Sequence, residues 1–217
     1  MFQNRGMKFA LCLLALSTLC PAAVVIDNLN STTNGFATGL TGPSAGVPPF
    51  FLVPNRQTAF TFTTGADDDE LVSVEIVITV SNNSSAISAM LSTGSSVPGG
   101  TNPISIASLT PTVSSGGTTL NFTAASPIAL AANTTYWVHF TVPTGAGYYS
   151  VLHADGPTEQ LGYSLGTSWQ YSPLGGWSDI GPQIRTRITT TAVIPEPAAA
   201  LTGGLGLLLL LRRRRPC

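Results

Sequence analysis

Three groups of side chains in this sequence have the types and spacing to do chemistry. Trp169-Gln170-Tyr171 sets two aromatic rings two residues apart, and Trp177 follows across the turn Pro173-Leu174-Gly175-Gly176. Indole and phenol faces stack on sugar rings, so Trp169, Tyr171 and Trp177 are candidate glycan-stacking residues, with Trp137 as a further indole. The structural alternative is that such a cluster plugs the end of a β-sandwich. Asp67-Asp68-Asp69-Glu70 is the one dense carboxylate run, and hard oxygen ligands so close together are a candidate calcium site. The run lacks the glycine and alternating spacing of an EF-hand loop, which favours the plainer reading of a solvated turn between two strands that discourages edge pairing. No motif calls for any other cofactor.

The third group is Ser150, His153 and Asp155, the residue types of a hydrolytic triad. Nearness in sequence does not arrange a triad, and strand alternation interposes Val151 between the opposing side chains. Neither a G-x-S-x-G elbow nor an H-E-x-x-H zinc motif occurs. His139, the other histidine, shares a strand face with Trp137. The expectation is a non-enzymatic protein with no catalytic residue.

Strands must position these groups. Leu71 to Val80 alternates so that Val72, Val74, Ile76, Ile78 and Val80 oppose a mixed face, the pattern of a sandwich strand buried on one side. Tyr136, Val138, Phe140 and Val142 likewise oppose Trp137, His139 and Thr141. Further strands are expected at Val24–Ile26, Ala59–Thr63, Ile87–Leu91, Ile104–Ile106, Leu120–Phe122, Tyr148–Leu152, Leu161–Leu165, Trp169–Tyr171 and Ile184–Thr190. Turn clusters such as Val97-Pro98-Gly99-Gly100 and Ser114-Ser115-Gly116-Gly117 punctuate them. No amphipathic helix is evident in the body. The expected fold is all-β, an antiparallel jelly-roll-like sandwich over residues 23–190, with Gly39 to Pro54 as a surface loop and 191–194 as a linker.

The ends have a different character. Arg5 and Lys8 precede an apolar stretch from Phe9 to Leu19, and Cys20-Pro21-Ala22 supplies small residues for a cut after Ala22. Residues 1–22 therefore read as a signal peptide, with the export machinery and signal peptidase as partners. At the other end, Pro195-Glu196-Pro197 leads into an apolar run, Ala198–Leu211, and then Arg212-Arg213-Arg214-Arg215. At about 1.5 Å per residue this run makes a helix of roughly 21 Å, short against a hydrocarbon core of about 30 Å. Bilayer thinning and snorkelling arginines make up the difference, and the basic block holds its end on the cytoplasmic side.

With both ends set aside, Arg56, Arg185 and Arg187 face nine acidic residues, so the body carries a net charge of −6 that the whole-chain value of −1 conceals. A body without a basic surface is a poor partner for nucleic acid. All three cysteines (Cys12, Cys20 and Cys217) lie in the end segments, which leaves the body neither disulfides nor thiolate metal sites.

The segment from Pro195 to Arg215 resembles a PEP-CTERM sorting signal, with its tripeptide, apolar run and arginine block in the family's order. The resemblance implies a Gram-negative-type envelope, an inner-membrane-inserted precursor, and processing near Pro195-Glu196-Pro197 by exosortase. Cell surface or extracellular matrix would be the destination, with exopolysaccharide as a neighbour. The body is similar to the choice-of-anchor R domain in Val24-Val25-Ile26-Asp27-Asn28-Leu29, in Gln57 to Phe62 entering Leu71 to Val80, in the turn and aromatic strand from Leu130 to Val138, and in Trp169 to Ile188. That resemblance implies a secreted or surface β-domain and brings no catalytic residue. Two readings of its role follow: a non-enzymatic surface or matrix protein, or a carbohydrate-binding module acting on exopolysaccharide.

Overall fold

Alternation of β-branched and aromatic residues with small polar ones makes this chain pair into antiparallel strands, and no helix occurs among the described residues. The computed structural model describes residues 21–31, 33–41, 55–82, 85–94, 98, 103–110, 117–144, 148–154 and 156–192. The expected signal peptide (apart from Pro21 and Ala22), the Pro195-Glu196-Pro197 tripeptide, the apolar run and the arginine block lie outside them. Among the described residues, no helix is long and apolar enough to cross a membrane.

The strands are β1 (Ala23–Asp27), β2 (Thr33–Thr41), β3 (Gln57–Thr63), β4 (Asp69–Asn82), β5 (Ile87–Thr93), β6 (Ile104–Leu109), β7 (Thr118–Leu130), β8 (Thr135–Thr141), β9 (Tyr148–Ala154), β10 (Thr158–Glu159), β11 (Ser164–Ser172), β12 (Gly176–Asp179) and β13 (Thr186–Ala192). One sheet runs β10-β1-β13-β4-β9-β2, with β7 also on β4; the other runs β12-β11-β3-β8-β5-β6. Apolar faces of both sheets contribute to a single core that includes Val74, Ile76, Ile78, Phe122, Val151 and Ile188 from the first and Phe60, Phe62, Val138, Phe140 and Leu91 from the second. Phe122 and Phe140 meet across it with ring centroids 5.4 Å apart. Two apolar faces buried against each other are the sandwich arrangement.

The inward sets of β8, β9 and β13 agree with the alternation in the sequence: Tyr136, Val138, Phe140, Tyr149, Val151 and Ile188 are all buried. Strand β4 departs from it at one end. Register with β7 shifts between Leu71 and Ser73, and β13 pairs Thr189 with Ser73 but Thr190 with Leu71. Val72 is thus an extra residue that reverses the parity, so Leu71 fills the core where alternation alone predicts Val72. On the facing strand, the slack in β7 falls at Ala124–Pro127, where the proline costs no ladder bond.

Several boundaries differ from those expected. Gly39, Leu40 and Thr41 are the end of β2 instead of a loop, with Leu40 fully buried; residues 42–54 lie outside the described set. Leu161 and Gly162 form a turn, both at positive φ (55° and 78°), and β11 starts only at Ser164. Trp177 lies on a strand of its own, β12. The last strand reaches Ala192, because Thr191 and Ala192 pair with Glu70 and Asp69, two residues into the expected linker.

Two neighbouring buried polar networks hold this part of the fold, one within the first sheet and one between the sheets. The Asn28 amide donates to the carbonyls of Ala154 (3.4 Å) and Ile184 (3.0 Å) and accepts from the Thr186 N–H at 2.6 Å, closing the corner after β1. Fully buried His153 sits within 3.0 Å of Thr38 Oγ1 through Nε2 and 3.2 Å of both Ser168 Oγ and the Pro182 carbonyl through Nδ1. Because the Pro182 carbonyl can only accept, Nδ1 carries the proton and Nε2 accepts from Thr38. This histidine therefore bridges the two sheets.

Candidate functional site

Residues directly opposite in an antiparallel pair point to the same face, so register assigns the outer face of the second sheet. Trp169 of β11 lies opposite Ala59 of β3, which lies opposite His139 of β8 and then Met90 of β5. One step along, Trp177 of β12 lies opposite Tyr171, and Tyr171 opposite Gln57. In the other direction, Thr61 lies opposite Trp137, and Trp137 opposite Ser92. Trp169, Tyr171 and Trp177 thereby come together with Trp137 and His139 on the outer face of one sheet, and not at the end of the sandwich.

The rings touch in two crossings over β3. Trp137 and Trp169 meet edge to face, with centroids 5.5 Å apart and planes at 85°. His139 and Trp177 do the same at 5.8 Å and 81°, and Tyr171 leans on Trp177 at 5.4 Å. Beneath them β3 offers Ala59, whose methyl lets rings from both sides close over it and which is fully buried. Edge-to-face contact suits the ring quadrupoles, and such pairs contribute about 0.5–1.5 kcal/mol beyond area burial. Trp137 and His139 form a buried floor, while Trp169, Tyr171 and Trp177 stay partly exposed above it.

The polar atoms of this face are unevenly satisfied. His139 Nε2 is 2.9 Å from Gln57 Oε1, which accepts, so Nε2 holds the proton and Nδ1 presents a bare lone pair. That Nδ1 and Ser92 Oγ are both buried without a hydrogen-bond partner. Burial lowers the His139 pKa to about 4, so the ring is neutral at neutral pH. Asp179, opposite Trp169, spends its oxygens on Thr167 Oγ1 (3.1 Å) and the Gly181 N–H (2.8 Å). Arg185 bonds the Leu29 carbonyl and Arg187 pairs with Asp27 at 2.9 Å, both away from this face. The site is thus aromatic and polar, with the Asp179 carboxylate at its edge.

The acidic run is dispersed by the fold. Asp67 is exposed; the Asp68 carboxylate accepts the Ala132 N–H at 2.8 Å, holding the β7–β8 turn. Asp69 is buried and accepts the Tyr163 hydroxyl at 2.5 Å, while Glu70 takes the next position on β4. Among the described residues no group of three or more carboxylate, histidine or cysteine side chains converges as a metal site would require. Around this run, Thr64 Oγ1 donates to the Ala131 carbonyl, Asn133 N–H donates to the Gly65 carbonyl, and Gly65 approaches the Leu161 backbone closely. The run is the hub of three turns.

The hydrolytic candidates are also separated. Ser150 lies on the outward side of β9, where its hydroxyl bonds the Tyr148 hydroxyl at 3.3 Å, whereas His153 points into the core. Asp155 lies outside the described residues. Gln57, Ser92 and Ala59 have no distinguishing mark in the sequence; only the placement of β3 between β8 and β11 brings them into the site. Compared with known proteins, the sequence matches no protein-family model and no curated protein.

Proposed function

We propose that this chain is an exported, non-enzymatic protein of the surface or extracellular matrix of a Gram-negative-type bacterium, and that its body binds neutral polysaccharide through the outer aromatic face. The observation carrying the binding half is the gathering of Trp169, Tyr171 and Trp177 with Trp137 over one sheet face whose edge carboxylate, Asp179, disfavours anionic ligands. Flat ligands with apolar C–H faces and many hydroxyls suit aromatic rings set beside unsatisfied neutral polar atoms. The opposed faces of Ser150 and His153 support the non-catalytic half. The adjacency of β1 to β13, followed by β4 and β9, supports a jelly-roll-like sandwich, the architecture suggested by the choice-of-anchor R resemblance.

The sorting half rests on the PEP-CTERM-like end: export by the signal peptide, membrane insertion through Ala198–Leu211, and removal of that tail by exosortase. Mass spectrometry of the protein recovered from the producing cells tests it. A C-terminus near Pro195–Pro197 is expected, and a chain still bearing Arg212–Arg215 refutes processing. Affinity electrophoresis in dextran, pullulan, galactomannan and hydroxyethyl cellulose tests binding. Retardation by at least one, weakened on the order of tenfold in Trp177→Ala, is expected from the loss of one stacking ring. Unretarded migration in all four sinks the binding half and leaves a purely structural matrix role.

A further inference from the structure

We propose that His139 Nδ1 and Ser92 Oγ are the hydroxyl-reading pair of the outer aromatic site, selecting a neutral sugar through two of its hydroxyl groups; the inference rests on the polysaccharide reading above. Both atoms are buried without a partner, and both belong to side chains on the outer face of the same sheet. Ser92 lies opposite Trp137, and His139 is two residues from Trp137 on the same strand, so the pair flanks the indole that floors the aromatic cluster. Buried polar atoms in native proteins find partners, and an orphaned one calls for an explanation. Two such atoms beside one ring cluster are explained together by a ligand that supplies both partners.

The chemistry narrows the ligand. With Nε2 committed to Gln57, the remaining ring nitrogen can only accept, so its partner must donate a proton. A sugar hydroxyl donates; a carboxylate or sulfate oxygen does not. Ser92 both accepts and donates, which suits a second hydroxyl of the same ring. The groups facing His139 are Gln57 and Ala59 from β3, Met90 from β5 and Trp177 from β12, none of which ionises at neutral pH. Nothing at this position compensates an anionic sugar.

The test uses the exported chain, 15N-labelled, with whichever of the four polysaccharides retards it. Saturation is expected to move the His139 Nδ1 resonance upfield by several ppm, as accepting a hydrogen bond does, and to leave Nε2 nearly in place. Ser92→Ala is expected to weaken binding about tenfold without lowering the Tm, since it removes an orphaned hydroxyl. His139→Phe is expected to weaken it at least as much. Should that variant fold poorly because Gln57 loses its partner, the Nδ1 shift and Ser92→Ala still decide. An unmoved Nδ1 at saturation, or wild-type affinity in Ser92→Ala while Trp177→Ala loses binding, overturns the pair and leaves the aromatic platform standing. Absence of binding to all four polysaccharides removes both readings.

Discussion

Removing one hydroxyl group, in Tyr163→Phe, isolates the interaction that organises the acidic run. Tyr163 and Asp69 are 3% and 6% exposed, and the phenol donates to Asp69 Oδ2 at 2.5 Å. A hydrogen bond to a charged acceptor contributes about 1.5–3 kcal/mol, and an acceptor left orphaned in a buried place costs a similar amount. These overlap, so the net loss is about 2–3 kcal/mol. For a body of this size each kcal/mol moves the midpoint by about 2–4 °C, which puts the expected drop in Tm at roughly 4–12 °C. The phenyl ring stays stacked on Phe62 at 6.4 Å, so little packing is lost and the effect reports the hydroxyl.

Thermal melts followed by circular dichroism at neutral pH read the shift directly. Combining Tyr163→Phe with Asp69→Asn in a double-mutant cycle separates the pair's coupling from either side chain's own effect. Alkaline pH supplies an independent check. Burial first, then the Asp69 hydrogen bond and charge, raise the Tyr163 pKa above its ordinary 10. The folded state therefore holds this proton more tightly than the unfolded state. The stabilisation is complete below pH 10 and fades as pH rises through the folded pKa. The wild-type advantage over Tyr163→Phe should accordingly shrink above pH 10. A drop in Tm below about 1 °C at neutral pH, or an advantage that grows with alkalinity, refutes the reasoning.

Two further outcomes follow from the same region. Millimolar CaCl2 should move the Tm by less than about 1 °C, whereas a site at a hundred times its Kd would add about 2.7 kcal/mol and several degrees. A rise of that size would reinstate the acidic run as a calcium site. Gly65→Ala should cost about 1–3 kcal/mol in urea titrations, because its methyl would lie 2.1 Å from the Leu161 carbonyl oxygen, a backbone atom with little room to retreat. Wild-type stability in that variant would mean the two loops do not close as described.

Much of the site was legible in the sequence as types and faces. Alternation in Tyr136–Val142 already put Trp137 and His139 together and away from the core, and the spacing of Trp169 and Tyr171 put both rings on one side of β11. Trp177 was legible as a neighbour across a Pro-Leu-Gly-Gly turn. That the two groups meet was not legible, because nothing local specifies which strand lies between β8 and β11. The parity reversal at Val72 escaped for a related reason: a bulge is set by the register of both neighbouring strands, and a lone strand carries no sign of it.

The acidic run makes the same point in reverse. Four consecutive carboxylates look like one ligand set on paper, yet once the turns after β3, β7 and β10 pack together Asp68 is spent on the Ala132 N–H and Asp69 on the Tyr163 hydroxyl, while Asp67 stays exposed.

What the sequence determined by itself was local: β-strand patterning, the absence of cysteine and lysine from the body, its acidity, and the apolar and basic composition of its ends. These depend on residue type and on spacings of a few positions, so no partner strand is needed to read them. Tertiary structure alone decided which rings cross over Ala59, which polar atoms of that face remain without a partner, and which carboxylate is spent on a tyrosine. Those are contacts between residues from 45 to 94 positions apart, as the span from Ser92 to Trp137 and from Asp69 to Tyr163 illustrates. Their existence depends on sheet order, which long-range burial selects and no short window of sequence encodes.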